Sequence, residues 1–121
     1  LNIASMSSYN PLSGVYAYSA AKAAVMNQTM AQAKELAPFG IRANAIAPGF
    51  LVAEQNRALL LNPDGSLTPR GQSVINHTPY GRFGEAHELV GAVLFLCSDK
   101  AAGFVSGITV PVDGGYLAWN I

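Results

Sequence analysis

The apolar residues of this chain form two kinds of pattern that alternate along it. Three short runs, at residues 1–5, 41–47 and 108–112, are almost continuously apolar, which is typical of strands buried on both faces of a sheet. Between them, residues 17–37 and 85–98 carry apolar side chains three or four positions apart, which predicts helices. Strand, helix, strand, helix, strand is the order of parallel crossover units, so we expect half of a doubly wound α/β domain.

Residues that favour turns and caps divide these segments. Pro38 and Gly40 should end the first helix. Residues 62–66 (NPDGS) predict a turn between two short helical pieces, and Thr68 before Pro69 is typical of an N-cap followed by proline at the first helical position. On the long helix we expect one face to carry four residues that recur at helical spacing: Val25, Thr29, Ala33 and Leu36.

Composition limits the function classes. Seven basic and seven acidic residues leave no net charge, which argues against a nucleic-acid partner or a polybasic membrane anchor. The apolar run 89–97 is too short to cross a bilayer. Cys97 is the single cysteine, so it rules out an internal disulfide and fits a reducing, cytoplasmic setting; we expect it to pack in the interior.

Charged residues make up only 12% of the chain, against roughly 25% in ordinary domains. Half of the residues are hydrophobic, yet no segment is typical of a membrane protein. We therefore expect the chain to bury much of its surface against residues outside these 121.

Candidate chemistry follows the first strand. In an open parallel sheet, ligands bind beyond the carboxyl ends of the strands, where Ser5 lies. Tyr18 and Lys22 are four residues apart and share a helix face, and a nearby ammonium stabilises a phenolate that can exchange protons. A serine hydroxyl can donate to a carbonyl or a developing alkoxide. The set suits proton transfer to a ketone or from an alcohol, although the pair alone also fits a surface tyrosine beside a solvated lysine.

Four sequence blocks together resemble the short-chain dehydrogenase/reductase family, in its order and spacing. They are Asn2-Ile3-Ala4-Ser5, then Tyr18-Ser19-Ala20-Ala21-Lys22, then residues 41–49 (IRANAIAPG), and finally Val112-Asp113-Gly114-Gly115. The resemblance implies the C-terminal half of a Rossmann-type parallel sheet, NAD or NADP as cofactor, and a homo-oligomer, either a tetramer or a dimer. It also implies that residues 1–121 are the catalytic and lid half of one domain, whose N-terminal dinucleotide-binding half is absent here.

The resemblance also assigns roles to single residues. Tyr18 would be the catalytic acid/base, Lys22 would tune it and bind the nicotinamide ribose, and Ser5 would hold the substrate oxygen. Asn44 would be structural. Ala53 stands where the family usually has threonine, so contacts there would come from the backbone or from Glu54. The residues implied to contact the cofactor are Tyr18, Lys22, Pro48, Gly49, Leu51 and Ala53.

The resemblance implies that residues 50–83 form the lid over the substrate. Their amide and guanidinium groups suit a sugar acid, and the segment resembles the mannonate oxidoreductase (fructuronate reductase) branch of the family. Arg57 or Arg70 could bind a carboxylate in bidentate fashion, or both could be surface residues, and Ser7 is a further substrate candidate. We interpret Arg82 as structural.

Two other interpretations stay open. The chain could be a non-catalytic fragment or assembly half-domain, since by itself it offers no pyrophosphate cradle and would be inactive. The enzyme could instead act on another sugar, a polyol or a keto compound. No metal is expected, because His77 and His87 are ten residues apart, with no cysteine or carboxylate at ligand spacing near them. Tyr116 and Trp119 could pack in the core or across a subunit interface.

Overall fold

The computed structural model describes residues 1–119 and contains a three-stranded parallel sheet in the order β1-β2-β3. Residue Asn2 pairs with Ala45, which pairs in turn with Thr109. The predicted α/β class and parallel sheet are confirmed. The strands are β1 (Asn2–Ile3), β2 (Ala45–Pro48) and β3 (Thr109–Val112); the helices are α1 (Tyr16–Leu36), α2 (Glu54–Leu60), α3 (Pro69–His77), α4 (Val90–Cys97) and α5 (Asp99–Ala102).

Helix α1 lies against the sheet through small side chains. Ala4, Ala45 and Ala47 form a buried cluster, and Val25 and Met26 of α1 pack onto it. Because three alanines line the sheet at this point, the helix can approach it closely. The predicted apolar face is therefore the one that is covered.

Polar bonds fix the register between α1 and β1. Thr29 is fully buried, and its hydroxyl donates to Val25 O at 2.7 Å. The same hydroxyl accepts from Asn2 Nδ2 at 2.9 Å, and this amide also donates to Gln32 Oε1 at 2.8 Å. These bonds satisfy polar groups that would otherwise be costly to bury. They also hold β1, the strand that leads to Ser5.

The two residues Arg42 and Asn44, which precede β2, hold this strand through side-chain bonds to distant backbone. Asn44 Nδ2 donates to Val105 O at 2.8 Å, while its Oδ1 accepts from Ile108 N at 3.2 Å. Arg42 donates to Leu96 O at 2.8 Å, near the end of α4. These contacts agree with the structural role expected of Asn44, because they tie β2 to the segment that leads into β3.

The second predicted helix differs from expectation in two ways. Residues Ala86–Leu89 form a 3₁₀ turn, and the α-helix starts only at Val90. Cys97 is exposed, so the prediction that it packs in the interior is wrong; Leu96 is the buried neighbour. Every residue of α4 is apolar or glycine, so the sequence pattern has no polar side to show which face turns inward.

Several large apolar side chains are exposed. Ile3, on edge strand β1, is 50% exposed, and Leu94 on α4 is 66% exposed. The predicted covering of this surface by residues outside the chain stays a prediction. Among the helices of residues 1–119, none combines the length and apolarity that a membrane crossing requires.

Candidate active site

Tyr18 and Lys22 lie in the first two turns of α1, on the same side of the helix. The Lys22 ammonium nitrogen is 5.8 Å from the centroid of the Tyr18 ring. It also donates to Ile3 O at 2.9 Å, which links the helix to the end of β1. Tyr18 is 48% exposed. The arrangement leaves the phenol accessible to a ligand while its cationic neighbour is held in place by the sheet.

Ser5 follows β1 as the N-cap of the 3₁₀ turn Met6–Ser8. Its hydroxyl oxygen accepts from Ser7 N at 3.2 Å and from Ser7 Oγ at 3.0 Å. Two accepted bonds occupy both lone pairs, so the remaining capacity of the Ser5 hydroxyl is its own proton. Ser5 is thereby set up as a donor, the role that a carbonyl oxygen or an alkoxide requires.

Ser7 is more buried than Ser5, at 2% exposed, and its hydroxyl donates to Ser5. Ser7, a predicted substrate contact, therefore bonds to Ser5 and helps to orient the Ser5 hydroxyl.

The segment that leads into α1 is tied to the residue next to Tyr18. Ser19 is buried, and its Oγ accepts from Leu12 N at 3.3 Å. Helix α1 starts after Val15, which provides no side-chain cap. The Leu12–Ser19 bond therefore helps to fix the chain immediately before the first turn of the helix.

Pro48 and Gly49 end β2 where it meets β3. Gly49 N donates to Val112 O at 2.9 Å. A Cβ atom built on Gly49 would stand 2.6 Å from Asp113 Cα and 2.8 Å from its Cβ. Only glycine lets the two strand ends approach this closely. Asp113 in turn caps the following turn, with its carboxylate accepting from Gly115 N at 3.0 Å.

Asn56 holds the backbone at two further predicted cofactor contacts, Leu51 and Ala53. Its Nδ2 donates to Leu51 O at 2.9 Å, and its Oδ1 accepts from Ala53 N at 2.8 Å. The amide therefore closes the backbone between Leu51 and Ala53 into a fixed loop. Glu54, offered as a substitute for the missing threonine, is exposed at the start of α2.

The lid segment is closed on itself at its base. Gly84 N donates to Phe50 O at 2.9 Å, which joins the two ends of the segment. Within it, Thr68 caps α3 by accepting from Gly71 N at 3.0 Å, and the predicted cap before Pro69 is confirmed. The NPDGS turn between α2 and α3 is also present, closed by Asn62 N to Ser66 O at 2.8 Å.

A cavity of about 380 Å³, here named the lid cavity, lies between the lid and residues 116–119. Arg57 and Arg70 are both exposed, but only Arg70 lines this cavity. The two arginines that the sequence left as alternatives are thus separated by the fold. The lining residues are Leu12, Ser13, Phe50, Arg70, Ser73, Val74, Asn76, His77, Tyr116 and Trp119.

A larger cavity, of about 480 Å³, lies beside Gly49 and Leu51 at the ends of β2 and β3. Neither Tyr18 nor Lys22 lines it. Arg82 borders it and forms a bidentate ion pair with Glu88, at 2.6 Å and 2.8 Å. That hydrogen-bonded guanidinium lowers the pKa of Glu88 to about 2. The pair closes the end of the lid, which fits a structural role for Arg82.

The structure gives two residues contacts that the sequence does not predict. Asn56 belongs to the polar start of α2, but its bonds to the preceding backbone depend on the turn geometry. The His77 ring lies 4.4 Å from that of Tyr116, a residue distant in sequence. No cluster of three or more metal-binding side chains occurs in the described part of the chain.

Comparison with known proteins places this geometry in a family. A family model described as Enoyl-(Acyl carrier protein) reductase matches residues 1–117. The uncharacterized oxidoreductase UxuB of Bacillus subtilis (strain 168) is 50% identical over 120 residues, which cover 99% of this chain and 43% of that protein. The chain thus spans less than half of the length of this curated relative.

Two solved structures extend the comparison. A candidate D-mannonate oxidoreductase from Haemophilus influenza, with bound NAD, is 50% identical with a TM-score of 0.91, covering 98% of this chain and 42% of that one. A gluconate 5-dehydrogenase from Burkholderia cenocepacia J2315, in complex with NADP and tartrate, is 37% identical with a TM-score of 0.88, covering 98% and 44%. With the four sequence blocks found in order around one parallel sheet, the chain belongs to the short-chain dehydrogenase/reductase family.

Proposed function

We propose that the protein containing this chain is an NAD- or NADP-dependent oxidoreductase that interconverts a secondary alcohol and a ketone. The observation that carries the proposal is the placement of Lys22, whose ammonium contacts the end of β1 and lies beside the exposed Tyr18 ring. Residues 1–121 would be the catalytic and lid half of a single domain, because they cover less than half of the relatives.

The residues present fit the nicotinamide end of such a cofactor. Lys22 supplies a cation beside Tyr18, and Gly49 keeps the end of β2 free of a side chain. Asn56 fixes the backbone at Leu51 and Ala53. When bound, the nicotinamide accepts a hydride from an alcohol or supplies one to a ketone.

The chain's own residues would transfer the proton between Tyr18 and the substrate oxygen. In ketone reduction, Ser5 donates a hydrogen bond to the substrate oxygen, and Tyr18 transfers its phenolic proton to that oxygen as negative charge develops there. The Lys22 ammonium stabilises the phenolate that remains. In alcohol oxidation the same proton passes from substrate to Tyr18. Ser7 bonds to the Ser5 oxygen, which leaves the Ser5 proton available to the substrate oxygen in both directions of the reaction.

Substitution of Tyr18 in the full-length protein tests this mechanism. Tyr18→Phe should lower kcat by about 10²–10⁴-fold, the usual contribution of a general acid/base. Tyr16→Phe is the matched control, since Tyr16 is 82% exposed on the same helix and lacks the lysine contact. Near-normal turnover by Tyr18→Phe would eliminate the mechanism.

For the substrate we propose a sugar acid of the fructuronate or mannonate type. Arg70 in the lid cavity supports this, because a guanidinium can bind a carboxylate through two parallel hydrogen bonds. Arg70→Gln should raise KM for fructuronate, followed by NADH absorbance, while Arg57→Gln should not. Equal or faster turnover of neutral ketoses by the unsubstituted enzyme would contradict the carboxylate contact and favour another sugar, a polyol or a keto compound.

We further propose that the exposed apolar residues are covered in a homo-oligomer and by the rest of the domain. Leu94 and Phe104 support this, being 66% and 105% exposed. Size-exclusion chromatography with light scattering on the full-length protein should give a dimer or tetramer. A monomer would contradict the oligomer.

A further inference from the structure

The lid cavity has an aromatic wall built from three distant parts of the chain. The His77 ring, at the end of α3, is 4.4 Å from the Tyr116 ring and 5.7 Å from the Trp119 ring. Phe50, at the start of the lid, is 5.6 Å from Tyr116. The lid and the residues after β3 are therefore packed together through His77, and both line one cavity.

The cavity is also linked to the segment that leads into α1. Tyr18 itself does not line it, but Leu12 and Ser13 do, and Leu12 N donates to the side chain of Ser19, the neighbour of Tyr18. A ligand in the cavity would therefore contact the segment that immediately precedes the helix of Tyr18. Phe50 borders the cavity as well, directly after the Pro48-Gly49 turn.

The lining selects a particular ligand chemistry. Aromatic faces pack well against carbon-bound hydrogens, while a few placed polar groups fix orientation. Arg70 is a permanent cation, and Ser13, Ser73 and Asn76 offer hydrogen bonds. Burial raises the pKa of Tyr116, so its phenol stays a neutral donor. Such a lining fits a hydroxylated carbon chain with one anionic end.

We propose that His77 is a specificity-determining residue, whose imidazole is held by Tyr116 and Trp119 and hydrogen-bonds the sugar acid bound to Arg70. The assignment rests on the proposed function, because it takes the lid cavity as the substrate site of that enzyme. It adds a substrate contact from His77, whose ring is positioned by Tyr116 and Trp119 in the segment after β3. Since both ring neighbours are aromatic, the imidazole loses little freedom on ligand binding, which favours selectivity.

His77→Phe in the full-length enzyme is the central test. It keeps an aromatic ring against Tyr116 and Trp119 but removes both ring nitrogens. We expect KM for fructuronate to rise roughly tenfold or more, with a much smaller change in kcat, because the lost bond serves binding. His77→Gln, which restores a hydrogen-bonding group, should recover part of the affinity.

The matched control is His87→Phe. His87 is exposed, faces Glu85 at 3.2 Å, and lines none of the cavities described above. Its substitution should leave both constants unchanged. If His77→Phe and His87→Phe behave alike, or if His77→Gln is no better than His77→Phe, the assignment is wrong.

A binding measurement separates this assignment from the proposed reaction. Calorimetric titration of gluconate into the NADH-loaded protein reports cavity binding without turnover, because the reduced cofactor cannot accept a hydride from an alcohol. Gluconate binding that is weakened by His77→Phe would support the assignment even if no sugar acid is turned over, in which case only the proposed reaction fails. Turnover of sugar acids with unchanged gluconate binding in His77→Phe would overturn the assignment and leave the reaction intact.

Discussion

Substitution of Gly49 by alanine tests the closeness of the two strand ends at the proposed cofactor site. The added Cβ would lie 2.6 Å from Asp113 Cα, whereas carbon atoms in contact are normally about 3.5–4.0 Å apart. Relief requires a movement of about 1 Å by backbone atoms, which cannot rotate away as a side chain could. Overpacking of this kind costs about 1–3 kcal/mol.

Gly91→Ala is the matched control, because it makes the same chemical change without a clash. Among residues 1–119, Gly91 is exposed in α4 and a Cβ there would meet nothing within 4 Å. Alanine should stabilise that helix by about 0.5–1 kcal/mol. The two variants should therefore differ by about 1.5–4 kcal/mol, in opposite directions from the unsubstituted protein.

Thermal unfolding of the full-length protein at one fixed concentration measures both effects. We expect a lower Tm for Gly49→Ala and an unchanged or higher Tm for Gly91→Ala. The KM for NAD should rise only in Gly49→Ala, since the shift moves the backbone proposed to contact the nicotinamide. Equal Tm values for the two variants would refute the close approach of Gly49 to Asp113.

Three further predictions concern the lid and its base. Ala53→Thr adds a side-chain acceptor at the N-cap of α2, which has none, and should raise stability by about 1 kcal/mol and lower KM for NAD; an unchanged Tm would argue against the cap. Gly71→Ala places a Cβ 2.1 Å from Leu60 O, so it should lower Tm and raise KM for fructuronate; wild-type values would contradict the α2–α3 packing. The pKa of Glu88 is lower in the folded protein, so its ion pair stabilises the fold above about pH 4.5, and this stabilisation is lost towards about pH 2. The difference in Tm between the unsubstituted protein and Glu88→Gln should therefore shrink as the pH falls through that window. A pH-independent difference would contradict the ion pair.

Local pattern was sufficient for most elements of the fold. The helical spacing in α1, the cap at Thr68 and the turn at residues 62–66 are each specified within a few neighbouring positions, and each is found where expected. Strand ends were less well predicted. Strand β1 covers only Asn2–Ile3 of the expected run 1–5, because Ser5 turns the chain into a 3₁₀ turn.

The failures share a physical reason. The apolar spacing of residues 85–98 predicts a buried Cys97, but every residue of α4 is apolar or glycine, so this spacing does not distinguish the faces of the helix. The side that is buried depends on contacts distant in sequence, such as the bond from Arg42 to Leu96 O. A uniformly apolar helix is thus recognised from sequence but not oriented by it.

The same division applies to the site. Spacing alone predicted that Tyr18 and Lys22 share one helix face, because a helix places residues four apart on the same side. The four blocks and their order predicted the family, because both are read directly along the chain. The sequence could not choose between Arg57 and Arg70, nor connect His77 with Tyr116 and Trp119. Those pairings exist only once the lid folds back over the ends of the strands, since residues nearly forty positions apart meet there through tertiary packing.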